Sequence, residues 1–380
     1  MKKIRVLMAG WEYPPYVTGG LGTHCYYLIN ALTKLGVKVY LTTPHPLHKK
    51  RRNFRIVGLD ITQNFKEEGK IVNYGPKSKD KIRLYTEKIC DGVKGINFDV
   101  IHCQDVPPIS ASIKLKEHSN KPLVLTVHST VYDRKEKPPK KDIENEKRGM
   151  EHADRIIAVS HYTKDIIVNK FKINPRKVSV VINAIRQRKI KLKKKQGKTK
   201  YVLYLGRLHY QKGIPYLIKA AKKVIAVEKN VKFLIAGGGK QSHVTALKNQ
   251  AKKLGLEKNI IFLGYVRDKK YYYRKASILV MPSISEPFGI VPLESIINGT
   301  PAIISKQSGI VEVLKSCLKF NYWDVDDLTK KLLFLLRNKK AYEKLRRDGI
   351  KEVKKFTWES IGKETINVYR KVLGSKNLVK

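Results

Sequence analysis

The feature that most restricts how this chain can fold is a rhythm that runs through it twice. Short apolar runs rich in β-branched residues, each closed by small or polar residues, alternate with amphipathic stretches at helical spacing. The first part holds "IRVLMAG", "VKVYLTTP", "FDVIHCQD", "PLVLTVHS", "RIIAVS" and "VSVVINA". The second holds "YVLYLGRL", "VKFLIAGGG", "IIFLGYV", "SILVMPS" and "PAIIS". A run that stays apolar at successive positions is a strand buried on both faces, the mark of a parallel sheet covered by helical crossovers. "GTHCYYLINALTKLG" reads as one crossover, with Cys25, Leu28, Ile29, Leu32 and Leu35 on one face and Gly36 as a stop signal. The rhythm therefore predicts an α/β chain with two doubly wound, Rossmann-like halves whose strand-end crevices face each other across a cleft.

The boundaries follow from length and charge. A chain of 380 residues suits two domains. Between the halves lies "RQRKIKLKKKQGKTK", residues 186–200, with no acid in it. The expected organisation is a first domain at 1–185, a basic linker at 186–200, a second domain at 201–358 and a C-terminal helix at 359–380. Trp358, Ile361, Ile366, Tyr369 and Val372 fall at roughly helical spacing, so that helix caps the second half or crosses back to the first. The start, "MKKIRVLMAG", is broken by Arg5 and reads as a first buried strand rather than a signal peptide. No apolar run approaches a membrane span. The four cysteines, Cys25, Cys90, Cys103 and Cys317, lack metal-ligand spacing, which fits a reduced, cytoplasmic protein.

The formal net charge is +47. Such a field attracts nucleic acids, anionic lipids and nucleotide phosphates. It also fits a lysine-rich proteome, since the charge is spread through the chain, and the sequence leaves both readings open. The other dense run is "KKRRNFR", Lys49–Arg55.

Several motifs carry chemistry. "TGGLGTH" follows the first strand and opens the first helix, so Gly19 and Gly20 let a ligand approach backbone at a helix N-terminus. Its spacing is neither G-x-G-x-x-G nor a Walker loop. In "LGRLHYQKG", Arg207 and Lys212 lie between a strand end and a helix, where two fixed cations suit a diphosphate leaving group. His128 ends the strand "TVHS", a place for a structural or a catalytic histidine. "AGGGK" offers Gly237 and Gly238 as a turn, or as room for a flat base. In "EPFGIVPLE", Pro287 suits the first turn of a helix. On that reading the N–H groups of Phe288, Gly289 and Ile290 hold phosphate. Glu286 stands outside that terminus and can accept sugar hydroxyls, while Glu294, two turns in, accepts the hydroxyls of a ribose.

Together these motifs resemble those of the retaining glycosyltransferases of the GT-B fold, specifically the glycogen-synthase-like group. "WEYPPYVTGGLGTH" resembles its N-terminal signature, "GRLHYQKG" its phosphate clamp, "EPFGIVPLE" its E-x7-E element and "SGIVEVL" the segment after the last site loop. The resemblance implies that Arg207 and Lys212 stabilise the nucleotide diphosphate and that Gly20 and its neighbours approach phosphate or sugar. It implies His128 and Glu286 at the donor sugar and Glu294 at the ribose. It further implies ADP- or UDP-glucose as donor, an α-glucan or other glycan as acceptor, no essential metal or cofactor, and front-face attack without a protein nucleophile. Two departures stand out. "VTGGL" lacks the lysine of bacterial glycogen synthases, and Asn183 in "VVINAIR" lacks the usual following Gly and Asp. A glycolipid or cell-surface glycosyltransferase in peripheral contact with an anionic membrane, and an RNA- or polyanion-binding protein, are the alternatives. No nucleic-acid signature supports the last.

Overall fold

The computed structural model describes residues 3–17, 19–61, 78–187 and 199–376. It divides into two compact units, Met1–Ala184 with Thr357–Lys380, and Ile185–Phe356. Each is a mostly parallel sheet packed with helices. Thr18 of the glycine loop and residues 188–198 of the expected linker lie outside the described residues, while Gln187 is tied to the second unit through the carbonyls of Val353 and Phe356.

In the first unit the strands are β1 (Arg5–Ala9), β2 (Lys38–Thr43), β3 (His48–Arg51), β4 (Phe54–Gly58), β5 (Val100–Gln104), β6 (Leu123–Val127), β7 (Arg155–Ala158) and β8 (Val178–Val180). Their order is β3-β4-β2-β1-β5-β6-β7-β8. All pairings are parallel except β3 with β4, so the basic "KKRRNFR" run forms an antiparallel hairpin at the sheet edge. Sequence rhythm does not mark this hairpin, because charged residues occupy a strand with one partner only. The central strands are apolar because both faces are covered: Val6 to Ala9 of β1 have no exposed surface. Each such side chain contributes about 1.5–3 kcal/mol by leaving water.

The helix Gly20–Lys34 buries Cys25, Leu28, Ile29 and Leu32. It stops where the spacing predicts, with Gly36 at φ +89°. The C-terminal helix Trp358–Lys376 belongs to this same unit. It lies so close to the first helix that a Cβ on Gly362 would come within 2.9 Å of Leu35 and 3.2 Å of Ala31. Trp358 stacks on Tyr27.

The second unit holds β9 (Lys200–Leu205), β10 (Val231–Ala236), β11 (Ile260–Gly264), β12 (Ile278–Met281), β13 (Ala302–Ser305) and β14 (Leu318–Phe320), in the order β11-β10-β9-β12-β13-β14. In each sheet the strand order reverses once beside the first strand, between β1 and β5 and between β9 and β12. A doubly wound sheet opens a crevice at the carboxyl ends of the strands flanking such a reversal.

Candidate functional site

In the second unit the segments after β9 and β12 leave the sheet side by side at its reversal point. The first carries Arg207 and Lys212, the second Glu286. They are tied together: Ile284 N–H donates to the Gln211 carbonyl (2.8 Å), and the buried Gln211 amide donates to the Ser285 carbonyl (2.9 Å). A short 3-10 turn, Tyr210–Lys212, ends at Gly213 with φ +63°. No other residue fits there, since a Cβ would sit 1.9 Å from the Pro282 carbonyl oxygen. This close approach delivers Lys212 to Glu286: Nζ stands 2.7 Å from Oε2, with the side chains only 14% and 16% exposed. Ser283 Oγ donates to the same carboxylate oxygen at 3.3 Å.

Glu286 shares these surroundings with several cations. The buried Tyr204 hydroxyl donates to the Arg207 carbonyl at 2.7 Å. Its ionisation is pushed well up by burial and then by the charge of Glu286, with Arg207 opposing. His209 is held below the usual imidazole range by burial, then by Arg207, His243, Lys212 and Lys240. Burial disfavours any charge there, but the cations Arg207, Lys212 and Lys240 around His209 favour an anion beside them.

The E-x7-E element differs from expectation in one respect. The helix spans Val291–Ile297, so Pro292 rather than Pro287 occupies its first turn, and Glu294 lies in that turn rather than two turns in. The cause is tertiary. The segment Glu286–Phe288 is pinned like a strand: Glu286 N–H donates to Gln307, and the N–H groups of Gly309 and Ile310 donate to Glu286 and Phe288. Gly289 then turns at φ +95°, outside the helical region. Phe288 is buried. Among the described residues, the N–H groups of Phe288, Gly289 and Ile290 have no hydrogen-bond partner. Glu294 accepts the hydroxyl of buried Tyr273 on Oε2 at 2.7 Å.

The glycine run also has a packing reason. Gly237, at φ +142°, lies against Gly206, whose carbonyl oxygen would be 1.7 Å from an added Cβ, so that side is filled. A Cβ added to Gly238 would meet nothing within 4 Å.

In the first unit, the corresponding strand ends carry Glu12 after β1, Gln104 on β5 and His128 after β6. Glu12 is buried, and its Oε2 accepts from Gly22 N–H (3.2 Å) and Gly19 N–H (3.4 Å). Part of the helix N-terminus thus already serves a carboxylate, which the favourable dipole there stabilises. Gly22 is required by Val17, which a Cβ would meet at 2.3 Å, whereas space beside Gly19 and Gly20 is open. His128 Nε2 lies 3.0 Å from Gln104 Oε1, and its ring stands edge-on to His24 at 4.4 Å. His24 Nδ1 lies 2.8 Å from Asn183 Oδ1. Burial lowers His24 to about 4 and His128 well below its ordinary value, and lowers His102, two residues before Gln104 on β5, to about 3.

Sequence reasoning missed Glu12, Gln104 and Tyr273 as site components. Glu12 and Gln104 each sit at or just beyond a strand's carboxyl end, a signal that topology alone makes readable. Tyr273 stands in the run "KKYYYRK" with nothing local to single it out.

Known proteins resemble this chain over nearly its whole length. Residues 18–188 match the family described as Glycosyltransferase Family 4, and residues 185–352 match Glycosyl transferases group 1. An uncharacterized glycosyltransferase of Methanocaldococcus jannaschii is 30% identical, with 97% of this chain and 98% of that protein aligned. The glycogen synthase of Mycobacterium tuberculosis is 26% identical over 96% of this chain and 94% of that protein. Among solved structures, the sucrose-phosphate synthase of Thermosynechococcus elongatus superposes with a TM-score of 0.82 at 19% identity, over 98% of this chain and 100% of that one. No helix of the described residues is long and apolar enough to cross a membrane.

Proposed function

We propose a reaction from one premise: the chain belongs to the glycosyltransferases, its first segment to Glycosyltransferase Family 4 and its second to Glycosyl transferases group 1. The reaction is transfer of a glucosyl-type sugar from a nucleoside diphosphate sugar, ADP- or UDP-glucose, to an α-glucan, with retention at the anomeric carbon. The observation that carries this reading is the placement of Arg207, Lys212 and Glu286 on the two segments that leave the second sheet at its reversal point.

Arg207 and Lys212 meet the charge that grows on the diphosphate as the glycosidic bond breaks, a term that preorganised donors make large. For that reason the reaction needs no divalent metal. The N–H groups of Phe288, Gly289 and Ile290, without a partner among the described residues, add uncharged donors for phosphate oxygens. Glu286 accepts hydroxyls of the donor sugar and Glu294 those of the ribose. Gly237 and Gly238 flank the base, Gly19 and Gly20 give the donor access to backbone, and His128 meets the donor sugar. The acceptor hydroxyl attacks from the face the diphosphate leaves, and a departing phosphate oxygen takes its proton, so no side chain serves as nucleophile. The glucan acceptor is supported by the resemblance to glycogen synthase over most of both chains.

The test is a donor screen that measures nucleotide release with and without glycogen. Release from ADP- or UDP-glucose that rises with glycogen supports the reading. Release stimulated by anionic vesicles and not by glycogen moves the acceptor to a lipid-linked glycan. No release from any nucleotide sugar removes the reading.

A further inference from the structure

His128 has a neighbour that decides which of its ring nitrogens carries the proton. We propose that Gln104 is a positioning residue that holds His128 in its Nε2–H form, so that Nδ1 is left as an acceptor for a hydroxyl of the donor sugar. The proposal deepens the reading of His128 as a donor-sugar residue and rests on it.

The assignment starts at His102. This ring is fully buried on β5, and both in-plane positions are taken: Nδ1 lies 2.6 Å from the Tyr369 hydroxyl and Nε2 lies 2.7 Å from Thr126 Oγ1. Tyr369 stands on the C-terminal helix and is itself fully buried, so this contact lies out of reach of solvent. His102 is thereby fixed in orientation by two elements far apart in the chain.

Gln104 follows two residues later on the same face of β5. Its Nε2 lies 3.1 Å from His102 Nε2 and 3.4 Å from His102 Nδ1. Those two nitrogens flank Cε1, and an atom in the ring plane at both distances would collide with that carbon. The amide nitrogen therefore lies over the face of the ring. That face carries the negative lobe of the π system, so an N–H group belongs there and a carbonyl oxygen does not. The orientation of the Gln104 amide follows from this contact, and its oxygen points to His128 Nε2 at 3.0 Å.

An amide oxygen only accepts. His128 Nε2 must then carry the proton, and Nδ1 keeps its lone pair. Burial beside His24 and His102 keeps the ring uncharged. A ring in this form takes a hydrogen from a hydroxyl and has nothing to offer an acceptor. The reversed tautomer would place a donor where the lone pair is needed.

The test is nitrogen NMR of the full-length protein carrying ¹⁵N-histidine, with the His128 signals identified by their loss in His128→Gln, alongside kinetics of two variants. The wild type should show the Nε2–H pattern at His128. Gln104→Leu removes the acceptor and should lose that pattern and lower kcat about tenfold, the scale set by loss of a partner that orients a working histidine. Gln104→Glu keeps an acceptor for His128 Nε2 at the same reach, at the cost of a second oxygen over the His102 face, and should keep the proton on Nε2 and recover part of the turnover lost in Gln104→Leu, which a packing defect shared by both variants would not allow. An Nδ1–H pattern in the wild type, or an unchanged pattern in Gln104→Leu, overturns the role of Gln104. A changed pattern with full turnover in Gln104→Leu overturns instead the donor-sugar reading of His128.

Discussion

Lys212 Nζ stands 2.7 Å from Glu286 Oε2, so the residue proposed for the diphosphate and the residue proposed for the donor sugar are each other's counter-ion. Both are mostly buried, and removing one partner leaves the other with an unbalanced, largely buried charge. The pair is thus a competition that an incoming diphosphate enters.

Glu286→Gln should therefore separate binding from turnover. With its internal counter-ion gone, Lys212 attracts a nucleoside diphosphate more strongly, and affinity should rise severalfold. Turnover should fall by about a hundredfold or more, because positive character on the sugar ring loses its partner in the transition state. Lys212→Ala should lose both affinity and turnover, by about 2–4 kcal/mol in kcat/KM. Calorimetric titration with ADP and UDP beside steady-state rates checks this. Weaker nucleotide binding in Glu286→Gln with normal kcat would reverse the roles.

Tyr273 donates to Glu294 at 2.7 Å and holds one carboxylate oxygen. Tyr273→Phe should free that oxygen to rotate and weaken nucleotide binding by about 0.5–1.5 kcal/mol, the net worth of one such hydrogen bond. Because ribose hydroxyls do not change charge during transfer, kcat should hold. A variant that loses kcat while keeping its nucleotide affinity would detach Glu294 from the ribose.

Activity should survive EDTA if, as proposed, Arg207 and Lys212 supply the charge that a divalent ion would otherwise bring to the leaving group. Rates measured before and after chelation decide it. Complete loss restored by magnesium or manganese contradicts the prediction. Partial stimulation by magnesium leaves it standing, since the ion also binds free nucleotide.

The pH dependence of stability should carry the signature of His102. Its folded-state value is lowered to about 3 from 6.5 by burial, then by His24. Between those values the unfolded chain holds a proton that the folded chain does not, so this contribution is present above about pH 6.5 and is lost as pH falls. Asp105, raised to about 6, and Glu146, raised to about 7, act in the opposite sense but are common to wild type and variant. In His102→Asn the slope of unfolding free energy between pH 4 and 6 should thus be shallower by up to about 1.4 kcal/mol per pH unit. Urea unfolding at several pH values measures it, and equal slopes would show that His102 protonates in the folded protein.

The residues themselves determined the α/β class, the strands β1, β2 and β5 to β8 of the first unit and β9 to β13 of the second, the first and last helices, and the choice of Arg207, Lys212, Glu286, Glu294 and His128 as the groups to ask about. Apolar periodicity and helix stops such as Gly36 are properties of a few consecutive residues, and a sequence displays them directly. What only the tertiary structure decided is who meets whom. Nothing local makes β1 lie beside β5 or β9 beside β12. The E-x7-E helix starts at Val291 because residues after β13 pin Glu286 and Phe288, and a sequence reading that stops at Pro287 cannot see them. Lys212 finds Glu286 across 74 positions, and His102 finds Tyr369 across 267. Such contacts close long loops, and their energy depends on the packing of both segments at once, which no short stretch of either one encodes.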